Sequence, residues 1–222
     1  MSDTAALTRP DTSDMRRVHR VFREAFGVAP QLLGAVSPDD TEQIERIAAY
    51  YEAVLLFLHV HHEGEDELVW PRLMQRCPDD LATVQHAADQ HQGILGDLAS
   101  AEEHLAIWRS DPTLDRASAL AAALATLGAN LTAHLDDEEA TILPLVEAHL
   151  TVEEWAELPA HGMQTGAQRA PQLMWVVLGL VREQMTPEQL VGMDANMPPP
   201  VHQFWVNEGE PMFQQFIVAL RR

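Results

Sequence analysis

One short pattern occurs twice in this chain: a histidine, a glutamate four residues later, and a proline six residues after the glutamate. The two copies are His61, Glu65 and Pro71, and His134, Glu138 and Pro144. The repetition extends upstream, because His19 precedes His61 by 42 positions and His91 precedes His134 by 43. A single His/Glu pair is common on the surface of a helix, but a doubled spacing of this length is not. We therefore expect the chain to build the same structural unit twice.

The composition favours helices for these units. Of the 222 residues, 46% are hydrophobic and only 6% are aromatic, and the Val/Ile/Thr runs typical of strands are missing. Cap residues, apolar periodicity and breakers predict four long helices, at about 14–27, 38–76 (capped by Ser37), 81–108 and 114–150. Pro71 should bend the second helix near its end. Long helices with short connections predict an all-α fold, an antiparallel up-down four-helix bundle over residues 14–150.

A different pattern begins at residue 151. Thr151 and Glu154 form a capping box that should start a short helix. An apolar helix is expected at about 171–184, a helical turn after Pro187, and a last helix at about 201–220. Residues 151–222 are thus predicted to be a C-terminal helical extension. Several roles suit it: a lid over the bundle, a homodimer interface, the lining of an apolar substrate channel, or simple packing against the bundle.

The charge narrows the classes of partner. The chain has 34 acidic and 14 basic residues, a formal net charge of −20, so phosphate backbones and anionic lipid should repel it. Binding to nucleic acid or to a membrane is therefore not expected. Cys77 is the only cysteine, no export signal is recognisable, and no apolar stretch is expected to approach the ~20 residues of a membrane span. These features predict a cytoplasmic protein.

The repeated pattern also predicts a binding site of a particular chemistry. Residues i and i+4 of a helix differ by about 40° in direction, so His61 and Glu65 should share one face, as should His134 and Glu138. Two packed hairpins would bring four imidazoles and two carboxylates to the centre of the bundle. Such groups are costly in a core unless they are paired or bound to metal. This donor set suits iron or manganese, with carboxylates bridging two ions.

Two other metal sites fit the spacing less well. Ferritin-like bundles use the ligand motif Glu-x-x-His, and no histidine of this chain has a glutamate three residues before it. Zinc is disfavoured more mildly, because six ligands exceed its usual tetrahedral four.

Four segments carry a resemblance to a known family: MRRVHRVFREAF, HHEGEDELVWPRL, ADQHQGILGDL and AHLDDEEATILPLV. Over about residues 14–150 the chain resembles the hemerythrin-like, or HHE, proteins. The resemblance implies two iron ions, bridged by oxo or hydroxo groups and by Glu65 and Glu138. The implied ligands are His19, His61, Glu65, His91, His134 and Glu138.

The chain departs from this family at one position. Oxygen-carrying hemerythrins have a further histidine on the third helix, four residues from its partner, where this chain has Ala87. His86 should point away from the centre. The departure implies extra exchangeable positions at the metals, or a substitute ligand such as His62, either directly bound or next to the ligand shell.

The implied function is that of a non-haem diiron protein that binds or reduces a small oxidant, namely O2, peroxide or NO. The enzymatic form would be a catalase-like or O2-dependent oxidoreductase. Two alternatives stay open. One is a diiron oxygenase or oxidase whose organic substrate enters through the C-terminal extension. The other is a non-catalytic sensor of O2, NO or iron, or an iron store.

Overall fold

A computed structural model describes residues 9–222. This part of the chain is helical and contains no strand, so the predicted all-α fold is confirmed. Its first half comprises α1 (Ser13–Gly27), α2 (Ala29–Ala35), α3 (Thr41–Leu68), α4 (Trp70–Arg76), α5 (Leu81–Ser110), α6 (Leu114–Asp137) and α7 (Leu143–His149). The four long helices α1, α3, α5 and α6 pack side by side as a bundle, with α5 against both α3 and α6, and α1 against α6.

The start of α3 differs from the prediction. Asp40, and not Ser37, caps the helix, because its side chain accepts a hydrogen bond from the Gln43 N–H at 3.0 Å. Pro38 therefore lies outside the helix. Ser37, Pro38 and Asp40 all favour a helix start, and local preference could not choose among them. The choice moves the helix boundary by three residues and leaves the register of His61 and Glu65 unchanged.

The two prolines of the repeat interrupt their helices in different ways. Pro71 lies at the start of α4, after a break at Val69, so the predicted disturbance there is confirmed. Pro144 instead follows a π-helical turn, Glu138–Ile142, in which the Leu143 N–H donates to the Glu138 carbonyl five residues earlier. Proline lacks an N–H, and π-turns often occur at functional sites. This turn was not predicted from the sequence.

A buried polar layer divides the core of the bundle. Below it lies one apolar cluster that includes Phe22, Leu58, Ile94 and Leu131. Above it lies a second that includes Met15, Val69, Ala87 and Ile142. On each of the four helices a buried histidine lies between the two clusters, and a buried glutamate, Glu65 or Glu138, follows on α3 and after α6. The apolar layers keep water away from this polar layer on both sides along the bundle axis.

The C-terminal extension contains α8 (Val152–Arg169), α9 (Met174–Glu183), α10 (Pro187–Asn196), α11 (Pro199–Phe204) and α12 (Glu210–Leu220), with a π-helical turn at Trp205–Gly209 between the last two. The Thr151–Glu154 capping box is confirmed. The helix that it starts is longer than predicted, because α8 continues through Pro159. Helices α9 and α12 pack on α3, and the division of the chain at residue 150 stays a prediction.

Helix α8 is fastened along α3 and α4. Arg76 pairs with Glu154 at one end, and Arg169 pairs with Glu63 at 2.7 Å at the other. Between them the two helices approach closely at Gly64, where an added Cβ would lie 2.7 Å from Leu158 Cδ1. The extension therefore covers the face of α3 that is adjacent to Glu65.

Several large apolar side chains of the extension are exposed: Met163, Val191, Phe204, Val206, Met212 and Val218. A homodimer through these C-terminal helices stays a prediction.

One stretch within residues 9–222, Leu114–His149, is long and apolar enough to cross a membrane by length and composition, with a mean hydropathy of 1.2 over 18 residues. The expectation that no stretch reaches this length was wrong. The reason is the alanine and leucine content of α6, whose Leu120, Leu124 and Leu127 lie inside the bundle. A core helix passes the same criterion, so the finding is weak evidence for a membrane span.

Candidate metal centre

The structure brings all six predicted ligand residues into the polar layer. His19 comes from α1, His61 and Glu65 from α3, and His91 from α5. His134 lies in the last turn of α6, and Glu138 opens the π-helical turn. All six are buried, and His61 is the most exposed at 8%. Helical spacing places each His/Glu pair on one face, and bundle packing turns those faces towards one another.

His62 also belongs to this layer. It is 2% exposed, and its ring stacks on that of His91, with centroids 4.1 Å apart and an angle of 18° between planes. From the sequence, His62 was only a possible additional ligand or a neighbour of the ligand shell. The structure places it among the other imidazoles because it lies about 100° from His61 around α3, which directs the two rings to different halves of the layer.

The seven residues form two groups, each with donor atoms within 4.8 Å of one another. One group is His19, His61, Glu65 and Glu138; the other is His62, Glu65, His91 and His134. Glu65 belongs to both. Its Oε1 lies 3.5 Å from His61 Nε2, and its Oε2 lies 3.5 Å from His91 Nε2.

The second carboxylate also reaches towards both groups. Glu138 Oε2 lies 3.3 Å from His19 Nε2 and 3.8 Å from His134 Nε2. The Nε2 atoms of His91 and His134 are 3.1 Å apart. Imidazole nitrogens from four helices and carboxylate oxygens from two therefore converge on a common interior.

Most of the donor atoms that face this interior have no hydrogen-bond partner. Among the residues that the structure describes, no hydrogen bond reaches His19 Nε2, His61 Nε2, either ring nitrogen of His62, either oxygen of Glu65, or Glu138 Oε2. Buried polar atoms are almost always hydrogen-bonded, and leaving them unpaired is costly. Lone pairs that converge and have no partner are what a metal ion requires, so this donor set fits metal binding.

The outward nitrogens, by contrast, are held. His19 Nδ1 lies 2.9 Å from Glu139 Oε1, His91 Nδ1 lies 2.8 Å from Asp66 Oδ1, and His134 Nδ1 lies 3.0 Å from Gln90 Oε1. Each acceptor directs the ring N–H outward, which leaves the Nε2 lone pair directed inward. Asp66 and Glu139 directly follow the predicted ligands Glu65 and Glu138 in the sequence. Gln90 was missed, although it directly precedes His91.

These features indicate a metal-binding helical protein, and a comparison with protein families identifies its family. The hemerythrin HHE cation-binding domain matches residues 11–146. The chain belongs to this hemerythrin HHE family. A search of curated proteins finds no match, and a search of solved structures finds none. The family match ends before α8, so Val152–Arg169 and the helices after it lie outside the matched region.

Burial has the largest effect on the pKa of His19, His61, His62 and His134. It lowers the pKa of His61 and His62 well below the usual histidine value, and it lowers the pKa of His134 to about 4. Burial also acts to lower the pKa of His19, but the nearby charge of Glu138 and the hydrogen bond to Glu139 outweigh it and raise that pKa. Neutral imidazole is the form that binds metal, and burial favours it at His61, His62 and His134.

The two shared carboxylates differ in their electrostatics. Burial, together with the charge of Glu138, raises the pKa of Glu65 well above its usual range. Burial would raise the pKa of Glu138 as well, but the neighbouring His19, His61 and His134 lower it to about 2. If both neighbouring carboxylates were ionised in this buried layer they would repel each other, and a cation between them would remove that repulsion.

The prediction for the third helix is confirmed in its geometry. Ala87 belongs to the apolar cluster above the polar layer, and the side chain of His86 is 68% exposed, with Nε2 4.0 Å from Asp137 Oδ2. His86 is therefore outside both groups.

A large cavity of this hemerythrin-like chain lies away from the polar layer. It has a volume of about 1720 Å³ and lies between the first helices and the extension, lined by Tyr50, Trp175 and Phe216 among others. None of the seven residues of the polar layer lines it.

Proposed function

We propose that the chain is a cytoplasmic non-haem diiron protein that binds or reduces a small oxidant: O2, peroxide or NO. One iron would be held by His19, His61, Glu65 and Glu138, and the other by His62, His91 and His134 with Glu65. The observation that carries the proposal is the set of buried donor atoms that have no other partner and fall into two groups sharing one carboxylate. A single-metal site would not need two groups.

The donor set favours iron among the available metals. Five imidazoles and two carboxylates, one of them shared by both groups, mix the nitrogen and oxygen donors that suit iron. Two bound iron ions would supply the electrons and the Lewis acidity that reduction of an oxidant requires. The protein would supply a dry, charge-compensated layer between two apolar clusters.

The residues around the layer have separate tasks. Glu139, Asp66 and Gln90 orient the rings of His19, His91 and His134 through their outward nitrogens. Glu139 is itself held by Arg16 and Arg23, with Arg23 Nη1 2.8 Å from its Oε1. Hydrogen bonds from His19 and Arg23 lower the pKa of Glu139 to about 2, so Glu139 stays ionised and keeps its role as the acceptor of the buried His19 ring.

Metal analysis tests the proposal directly. Protein expressed in iron-supplemented medium should contain about two iron ions per chain and should show near-ultraviolet charge-transfer absorption from bridged ferric ions. Plasma mass spectrometry and the absorption spectrum of the isolated protein provide the measurement. One zinc ion per chain, or no metal after growth in iron, would refute the diiron assignment.

Turnover with peroxide separates an enzyme from a sensor or store. The diferrous protein is mixed with excess peroxide, and the peroxide consumed per chain is counted. Many turnovers indicate a catalase-like activity, and a single stoichiometric oxidation indicates sensing or storage. An oxygenase with an organic substrate has less support, because the large cavity beside the extension is not lined by the polar layer.

Loss of Asp66 should weaken metal binding without unfolding the protein. Asp66→Ala removes the acceptor of His91 Nδ1, and loss of such an outer partner lowers metal affinity by about 10–100-fold. Chelator competition measures the affinity. Asp89→Ala, which removes an exposed carboxylate from α5, is the matched control and should bind iron as the wild type does. Equal affinities for all three proteins would contradict the assigned role of Asp66.

A further inference from the structure

His62 is held differently from three of the other four imidazoles of the layer; His61, whose Nε2 also has no partner, belongs to the repeated pattern, whereas His62 does not. His19, His91 and His134 each have an outward nitrogen bonded to a side chain, namely Glu139, Asp66 or Gln90. At His62 neither ring nitrogen has a hydrogen-bond partner among the residues that the structure describes. No hydrogen bond therefore fixes the tautomer of His62 or the rotation of its ring.

Ring contacts alone position His62. Its plane stacks on His91 at 18°, and it meets the ring of His134 edge-on, with centroids 5.4 Å apart and an angle of 88°. Stacking restrains the plane of a ring but not which of its edges points inward. A half-turn about the Cβ–Cγ bond restores the same stack and exchanges the two edges, and no hydrogen bond opposes it.

His62 also lies outside the repeated pattern. The residue that follows the second-copy histidine, His134, is Leu135, which is fully buried in the apolar core. Without His62, each half of the bundle contributes the same set of two histidines and one glutamate. Release of His62 therefore leaves both repeated units complete, whereas release of any other imidazole breaks one of them.

We propose that His62 is an exchangeable ligand of the second group, and that an incoming small anion or oxidant takes its place beside His91 and His134. This inference rests on the proposed metal binding and specifies where that site admits its oxidant. The other four imidazoles and both glutamates stay in place during the exchange.

Azide, a small anion, tests the inference on the iron-loaded full chain in the ferric state. Wild type, His62→Ala and His62→Phe are compared for iron content and for azide affinity, the latter from absorption titration. Both variants should keep about two irons per chain. If the wild-type site is open less than about a tenth of the time, removing the internal competitor should tighten azide binding ~10-fold or more. Added imidazole should return the azide affinity of His62→Ala towards that of wild type.

Two different variants are compared so that the test still works when one of them does not fold. His62→Ala leaves a cavity, whereas His62→Phe retains a ring that can stack on His91 and lacks a ligand nitrogen. Circular dichroism identifies which variants are folded, and the folded ones are interpreted.

Each contrary result has a distinct meaning. Loss of one iron from folded His62 variants would show a fixed ligand and would overturn the inference. Unchanged azide affinity with full iron content would show that azide binds at a position that His62 does not occupy, and would also overturn it. Wild-type protein without iron would refute the proposed function itself, and that result is read before any variant is made.

Discussion

His134→Ala is expected to lower the iron content from about two ions to about one per chain and to lower the thermal unfolding midpoint by several degrees. His134 is 1% exposed, its Nε2 lies 3.1 Å from His91 Nε2, and its Nδ1 is held by Gln90. Its removal takes a fixed donor from the second group and leaves a buried cavity. A metal that binds only the folded chain stabilises it, so the loss of one ion adds to the cavity cost. Plasma mass spectrometry and circular dichroism measure the two effects.

His86→Ala is the matched control for this variant. His86 is a histidine of α5 near the same layer, but its side chain is exposed and its Nε2 lies 4.0 Å from Asp137 Oδ2. Its replacement should change neither the iron content nor the midpoint. Similar losses in both variants would mean that the third helix is rotated relative to the register described above.

Gly179→Ala is expected to lower the free energy of unfolding by about 3 kcal/mol, at the upper end of ordinary overpacking costs. A Cβ on Gly179 would lie 2.1 Å from Cδ2 of Phe213, well inside van der Waals contact. Phe213 is 1% exposed and packs near Trp205, so its ring has little room to retreat. The methyl group must therefore separate α9 from α12. Urea unfolding followed by circular dichroism provides the measurement.

Gly192→Ala tests whether the effect comes from this contact. Gly192 lies within α10, where an added Cβ meets nothing within 4 Å, so alanine should stabilise that helix by up to about 1 kcal/mol. The double variant Gly179→Ala/Phe213→Leu should recover part of the loss by removing ring atoms. A Gly179→Ala protein as stable as the wild type would show that α9 and α12 do not pack at this point.

The repeated pattern was enough to predict the polar layer, because the pattern depends on residue spacing within single helices and hairpins. Helix geometry alone places His61 with Glu65 and His134 with Glu138, and the nearly equal upstream spacing of His19 and His91, 42 and 43 residues, places the remaining imidazoles at the same height. Any compact packing of two such hairpins then puts these faces together. The same reasoning predicted that His86 lies outside, since it is five residues before His91 and therefore about 140° away around the helix.

The features that local reasoning missed depend on neighbours distant in sequence. His62 lies about 100° from His61 around the helix, a direction that suggests a different environment until α5 is placed beside α3. Gln90 becomes an outer partner only because α6 brings His134 within 3.0 Å of it. The length of α8 also depends on its pairing with α3 and α4, which supports a helix through Pro159.

The order of histidines, glutamates and prolines along the chain thus specified an all-helical bundle and six residues of its polar layer, because helical spacing and the doubled interval act within single helices and hairpins. The division into two groups, the sharing of Glu65 and the inclusion of His62 depended on the packing of four helices. Side chains from different helices become neighbours only through that packing, and the distances between them are not encoded in any one segment.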